Sequence, residues 1–346
     1  MTDRTTEPTN PNGMPPADGR SLLLARMAAE RAALLWELVG LDEATLTRWP
    51  VFEDYSAKDL LAHIAAWDEL FAERTELILE GRASAIASVE LSRNDVLHEQ
   101  RHDWSLDQAV AAFVEARKTF LTAIDRCDDE ALLRVRRFSW GRRSIRVWAN
   151  WRHRHDAAHM RDLVRWRKRE QAARDVGPKS LLLAALEAGR DELLCCAALV
   201  PSAEHAARPV CGDWTLKDLL GHIADWEAFC VEGLRLMAAG RSPDLGWTGE
   251  LEEWNQEHFA TRRGQLWEHI WADLHAAREE LLAILGALSQ PELTRAFPSP
   301  RIVQPEASPY TWLLAWLEHD REHAAHIRAA LGLPWPKRLL RFATSY

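Results

Sequence analysis

The chain has 346 residues with 27% charged residues and a formal net charge of −9. No run of like charge is long enough for a nucleic-acid arm, and the acidic balance argues against a DNA-binding role, since phosphate binding normally needs a basic face. No apolar stretch reaches the roughly 20 residues needed to cross a bilayer, and Met1 to Gly19 carry Thr, Pro, Asn and Gly without an apolar signal core, so residues 1–19 read as a disordered tail. Five cysteines, Cys127, Cys195, Cys196, Cys211 and Cys230, form no Cys-x-x-Cys pair and no disulfide pattern. They fit a reducing cytoplasm.

The first predicted element, Leu22 to Leu38, has apolar residues at helical period. Its opening, Ser21-Leu22-Leu23-Leu24-Ala25, returns as Ser180-Leu181-Leu182-Leu183-Ala184, an offset of 159. A turn then ends at Ser56 or Thr215, natural N-caps with Asp59 or Asp218 three positions on. The helix that follows repeats at the same offset: Lys58-Asp59-Leu60-Leu61-Ala62-His63-Ile64-Ala65-Ala66-Trp67 against Lys217-Asp218-Leu219-Leu220-Gly221-His222-Ile223-Ala224-Asp225-Trp226. It ends near Gly81 or Gly240, where glycine suits a C-cap.

A loop holding Asn94 or Asn255 comes next, and the offset has grown to 161. A third helix runs over 106–124 and 266–285, with Arg117 matching Arg278. A fourth runs over 145–167 and 310–331, where the offset reaches 164 and His155-Asp156-Ala157-Ala158-His159 matches His319-Asp320-Arg321-Glu322-His323. Strand-period patterns are scarce. The expectation is an all-α chain of two tandem four-helix bundles, residues 20–174 and 175–346, divided at the Gly177-Pro178 breaker. Length changes confined to loops are what a diverged duplication shows.

Histidines at i and i+4 share one helix face, and His63 or His222 from the second helix could complete a three-histidine set. Three protein ligands leave coordination positions for water or substrate, the catalytic pattern for a metal. The plainer alternative is core or surface histidines, against which stands the recurrence of all three in register. Trp67, Trp226, Trp148 and Trp312 are duplicated as well, and read as core residues or as the wall of an apolar pocket. Asn94 and Asn255 could orient a ligand or serve a turn. Arg117 and Arg278 suit an inter-helix carboxylate better than an anionic substrate. Glu69 and Glu227 do not align, so no general base is assigned. His98, His102, His258, His269 and His326 lack clean counterparts and are read as surface or local polar residues.

The run from Trp214-Thr215-Leu216-Lys217-Asp218 through His222 to Trp226-Glu227, with His319 to Ile327, resembles the DinB superfamily of four-helix bundles. It is most similar to the ClbS/DfsB branch, whose Trp-Asn element is echoed by Trp254-Asn255. The first copy departs from the pattern, with Tyr55 in place of Trp214 and no tryptophan before Asn94. The resemblance implies a divalent metal ion (zinc, nickel or iron) held by His63, His155 and His159, and by His222, His319 and His323. Trp67, Asn94, Trp226 and Asn255 are the candidate substrate-side residues from the duplicated pattern itself. Relatives include enzymes that transfer low-molecular-weight thiols to electrophiles and resistance proteins that hydrolyse reactive small molecules, while some members keep the fold without the metal. The expectation is therefore a metal-dependent hydrolase or thiol transferase acting on a small electrophile, with a low-molecular-weight thiol as candidate cosubstrate. The alternative is a protein that sequesters a small molecule without turnover. No nucleic-acid or membrane partner is expected, and the two copies are expected to pair as an intramolecular pseudo-dimer.

Overall fold

The structure, a computed structural model, describes residues 19–88, 93–172, 174–239, 241, 251–298 and 306–333. The proposed N-terminal tail lies outside the described residues, apart from Gly19. The chain packs as two compact units, residues 17–188 and 189–346.

In the first unit the long helices are α1 (Arg20–Leu38), α3 (Ala57–Leu79), α5 (Leu106–Asp125) and α7 (Ile145–Glu170), with short helices α2 (Glu43–Arg48), α4 (Arg93–Arg101) and α6 (Asp129–Leu133) between them. Helix α3 lies along α5 and α7, and α1 lies along α7, which makes a four-helix bundle. The corresponding elements downstream are α8 (Lys179–Ala197), α9 (Leu216–Ala238), α10 (Leu251–Arg262), α11 (Trp267–Ala287), α12 (Gln290–Thr294) and α13 (Pro309–Ala330). The all-helical, duplicated architecture read from the repeat is the observed one.

Two features depart from the sequence reading. Asn94 and Asn255 are not in loops but on α4 and α10. Local polarity suggested a loop there, yet each helix is held by one face against α3 or α9, and packing of one face outweighs weak propensity. Each unit also carries two small hairpins: β1 (Pro50–Phe52) with β2 (Tyr55–Ser56), β3 (Arg136–Phe138) with β4 (Gly141–Arg143), β5 (Pro209–Cys211) with β6 (Trp214–Thr215), and β7 (Phe297–Pro298) with β8 (Glu306–Ala307). At two or three residues each, these strands are too short to show a period in the sequence.

The hairpins matter because they set the start of the histidine-bearing helices. Strand β2 delivers Ser56, whose Oγ accepts from Asp59 N–H while the Asp59 carboxylate accepts from Ser56 N–H, a complete capping box. Thr215 and Asp218 do the same for α9. At the other end, Gly81 takes φ +74°. Arg82 N–H donates to Leu77 O at 2.7 Å and Gly81 N–H donates to Ile78 O at 3.0 Å, closing a Schellman motif. Gly240 is outside the described residues, but Arg241 N–H donates to Leu236 O at 2.7 Å, the corresponding bond. His63 and His222 are thus fixed in phase by both ends of their helices.

The apolar core of the first unit gathers Leu23, Met27, Phe71, Phe120, Ile124, Ile145 and Trp148, all buried. Trp148 is fully enclosed, the core role read for it from the sequence. At the centre of the bundle, however, lies a cluster of charge. Asp68 of α3 and Asp156 of α7 are fully buried, and Arg31, Arg117 and Arg152 converge on them from α1, α5 and α7. Arg31 Nη2 is 2.7 Å from Asp68, Arg117 Nε is 2.9 Å from Asp68 and its Nη2 2.8 Å from Asp156, and Arg152 Nε is 2.7 Å from Asp68. The second unit repeats the plan with Arg190, Glu227, Arg278 and Asp320. Arg117 and Arg278 therefore do pair inter-helix carboxylates.

Burial alone would raise the pKa of Asp68, but Arg117, Arg152 and Arg31 together hold it well below the carboxylate range. For Glu227, which faces only two arginines, burial prevails and its pKa is raised. Removing one partner of a buried ion pair leaves uncompensated charge and costs about 3–5 kcal/mol. Asp68→Asn is expected to destabilise the first unit by that amount at neutral pH, as read by denaturant unfolding. A depressed carboxyl lends stability above its unfolded pKa of about 3.9 that disappears as pH falls through the folded value. The gap between wild type and Asp68→Asn should accordingly narrow below about pH 4; a gap independent of pH would contradict this account.

Candidate metal centres

One turn beyond its capping box, α3 presents His63, while α7 presents His155 and His159 one helical turn apart. The three rings meet edge to edge: His63 Nε2 is 3.1 Å from His155 Nε2, which is 3.2 Å from His159 Nε2. In the second unit His222 Nε2 is 3.1 Å from His319 Nε2, and His323 Nε2 is 2.9 Å from the same atom. Each set of three lies within a span that one metal ion could bridge. All six sequence-predicted histidines are thus brought together, three and three.

Burial lowers the pKa of every one of these rings. His63 is pushed down to about 3, first by desolvation and then by His159 and Arg152. His222 is pushed down to about 4 by desolvation and His258. His155 and His159 are lowered by burial, with Arg152 contributing, and His319 and His323 lie well below the ordinary value for the same first reason. Neutral imidazoles carry one lone pair each, and in each copy the three rings bring their Nε2 atoms together. Protons shared among them satisfy only some of the contacts, whereas a cation satisfies all three. Two imidazole nitrogens at about 2.0–2.1 Å from one cation, separated by a right to tetrahedral angle, lie about 2.9–3.4 Å apart. The two Nε2–Nε2 contacts in each set fall in that interval, so the residues present fit a divalent metal.

Surrounding groups distinguish the two copies. Asp162 Oδ2 lies 3.4 Å from His159 Nδ1, the carboxylate neighbour that often orients a ligand histidine. At the equivalent position of the second copy stands His326, whose Nδ1 is 3.3 Å from His323 Nδ1. His326, read from the sequence as a surface or local polar residue, is half-buried beside His323. His269 is exposed, as expected, and His258 stacks on Trp254 with ring centroids 3.6 Å apart. His98 and His102 approach the cap carboxylate of Asp59 at 3.9 and 3.6 Å.

Beside the first triad opens a cavity of about 470 Å³, within the range of small-molecule sites. Trp67, Phe71 and Trp151 supply apolar walls, Asn94 and Arg152 polar ones, and the histidine triad lies at its lining. Trp67 Nε1 donates to Asn94 Oδ1 at 3.1 Å, and Trp226 Nε1 donates to Asn255 Oδ1 at 2.9 Å. The four residues expected on the substrate side thus form two matched pairs next to the triads. In the second copy Trp254 packs on Trp226 with centroids 4.0 Å apart, where the first copy has Arg93.

Sequence reasoning missed the charge cluster beneath the triads. Its signal was present: Arg31 matches Arg190 and Asp68 matches Glu227 at offset 159, and Asp156 matches Asp320 at 164. Comparing Glu227 with Glu69 by residue type, one position out of register, hid it.

No curated protein and no solved structure matches the chain. A family model does, twice, over residues 26–163 and 185–327. Each match spans one histidine triad together with the four bundle helices that position it, and so the chain belongs, in both of its halves, to the DinB superfamily.

Proposed function

We propose that the protein is a divalent-metal-dependent enzyme acting on a small electrophilic molecule, by hydrolysis or by transfer of a low-molecular-weight thiol. The observation that carries this reading is that in both copies two histidine Nε2 atoms lie 2.9–3.2 Å from a third, with each set of three within 4.8 Å. His63, His155 and His159, and His222, His319 and His323, would hold the ion. A divalent cation bound by three protein nitrogens lowers the pKa of a water or thiol in its open positions, supplying a nucleophile near neutral pH.

The chain's own residues account for the rest. Burial keeps the six rings unprotonated, so protons do not compete for their Nε2 atoms at neutral pH. Trp67 and Phe71 exclude water from one side of the first cavity and offer an apolar surface to a substrate body. Asn94, anchored through its Oδ1 by Trp67, holds a polar group at the rim. Arg152 lines the same cavity and is tied to Asp68 at 2.7 Å, so its charge is oriented and largely compensated.

Elemental analysis of untagged protein should find at least two equivalents of divalent metal per chain, and His155→Ala and His319→Ala should each lose one equivalent relative to wild type. Unchanged metal content in both variants would sink the reading. Incubation with chlorodinitrobenzene and a low-molecular-weight thiol, or with an activated ester, should yield product by mass spectrometry in the metal-loaded protein only. Bound but unaltered ligand would instead support sequestration.

Trp67→Ala tests the cavity. Loss of one large aromatic wall, about 1.5–3 kcal/mol of apolar contact, should weaken binding of an aryl electrophile by about tenfold or more while leaving metal content unchanged.

A further inference from the structure

The second copy carries a cluster that the first lacks. Cys211 closes β5, and His323 and His326 stand three residues apart on α13, which packs against that strand. Cys211 Sγ lies 3.4 Å from His326 Nδ1, and His326 Nδ1 lies 3.3 Å from His323 Nδ1. The three donor atoms fall within 4.8 Å of one another. They use the opposite edge of the His323 ring from the triad, since its Nε2 is the atom 2.9 Å from His319.

The 3.3 Å His326–His323 spacing suits a shared cation better than a direct hydrogen bond, and the 3.4 Å Cys211–His326 spacing is compatible with either. Around a tetrahedral ion with sulfur at about 2.3 Å and nitrogen at about 2.0–2.1 Å, the S···N and N···N separations come to about 3.3–3.6 Å. A ring N–H donating to a ring nitrogen would normally close to about 2.7–3.2 Å. One thiolate with two imidazoles is a donor set of borderline softness, suited to zinc, cobalt or copper rather than magnesium or calcium. His323 is buried, while Cys211 and His326 are half-buried, which leaves a path for entry.

The first copy is an internal control. At the positions of Cys211 and His326 it has Phe52 and Asp162. A phenyl ring offers no donor, so the cluster is peculiar to the second copy.

We propose that the second copy holds an additional cation site formed by Cys211 Sγ, His326 Nδ1 and His323 Nδ1, joined to its histidine triad through the two nitrogens of the His323 ring. Loading releases the thiol proton of Cys211 to solvent. With the triad empty, the proton on His323 Nδ1 moves to Nε2. With the triad filled, that proton also leaves and the ring bridges two cations as imidazolate. The site stands on its own donor atoms and shares only His323 with the function proposed above.

Cobalt(II) titration of the metal-free full-length protein tests it, because a thiolate ligand produces a sulfur-to-cobalt charge-transfer band in the near ultraviolet and an all-histidine site does not. The band should appear in wild type and persist in His222→Ala, which removes a triad ligand outside this cluster. Cys211→Ser should abolish it and bind one equivalent fewer, and His326→Ala should weaken cobalt affinity at the band by about tenfold or more, the loss that follows removal of a neighbouring ligand group. Circular dichroism checks that the variants fold. Should Cys211→Ser fail to fold, alkylation of wild-type Cys211 by iodoacetamide, mapped by mass spectrometry, should be slowed by cobalt. Absence of the band in wild type, or its survival in Cys211→Ser, overturns the proposal, as does alkylation of Cys211 that is indifferent to cobalt. A band in wild type with no metal lost in His155→Ala and His319→Ala would uphold this site while removing the reading of the triads.

Discussion

The buried arginine–carboxylate cluster is the constraint from which the site's geometry follows. In the first unit one carboxylate from α3 and one from α7 are held by guanidiniums from α1, α5 and α7. All four long helices therefore meet at one polar node inside an apolar bundle. Apolar packing is tolerant of small slides and rotations, whereas a charge-assisted hydrogen bond weakens steeply with misalignment. Asp156 follows His155 directly, and Asp68 follows Trp67. His155 lies one residue and His159 three residues from Asp156, and His63 five residues from Asp68, so locking the carboxylates in register also fixes the three rings on the adjoining face of the same helices.

The two copies keep that node but charge it differently. Three arginines face two carboxylates in the first unit, whereas in the second Arg190 and Arg278 face Glu227 and Asp320, and Trp316 stands at the position of Arg152. The surplus guanidinium of the first copy borders its cavity and lowers the affinity of the neighbouring rings for positive charge. Tryptophan packing takes that place in the second. The outer edge of the last ring of each triad differs as well, with Asp162 beside His159 and His326 with Cys211 beside His323. An anion beside an imidazole that holds a metal strengthens its donor nitrogen. Duplication has conserved the frame and let the two centres diverge in charge and surroundings.

Much of this was legible in the chain itself. Ser56 with Asp59 and Thr215 with Asp218 announced helix starts because capping is local chemistry, decided by residues three apart. His155 with His159 announced a shared face for the same reason. The helices bearing Asn94 and Asn255 were not legible, since their stability comes from a face docked on α3 or α9 rather than from their own residues. The hairpins were too short to leave a pattern. His326 had no duplicated partner, so nothing along the chain linked it to Cys211, 115 residues away.

By itself, the sequence determined the duplication, the helical class, the helix ends and the six histidines, because repeats, caps and i, i+4 spacing are properties of neighbouring or aligned residues. Only the tertiary structure decided that the three ring nitrogens of each copy converge, that Trp67 and Trp226 pair with Asn94 and Asn255, and that Arg31, Asp68, Arg117 and Asp156 share one buried node. The physical reason is that convergence depends on the relative rotation of helices far apart in the chain. That rotation is set by buried ion pairs and packing, which no local pattern encodes.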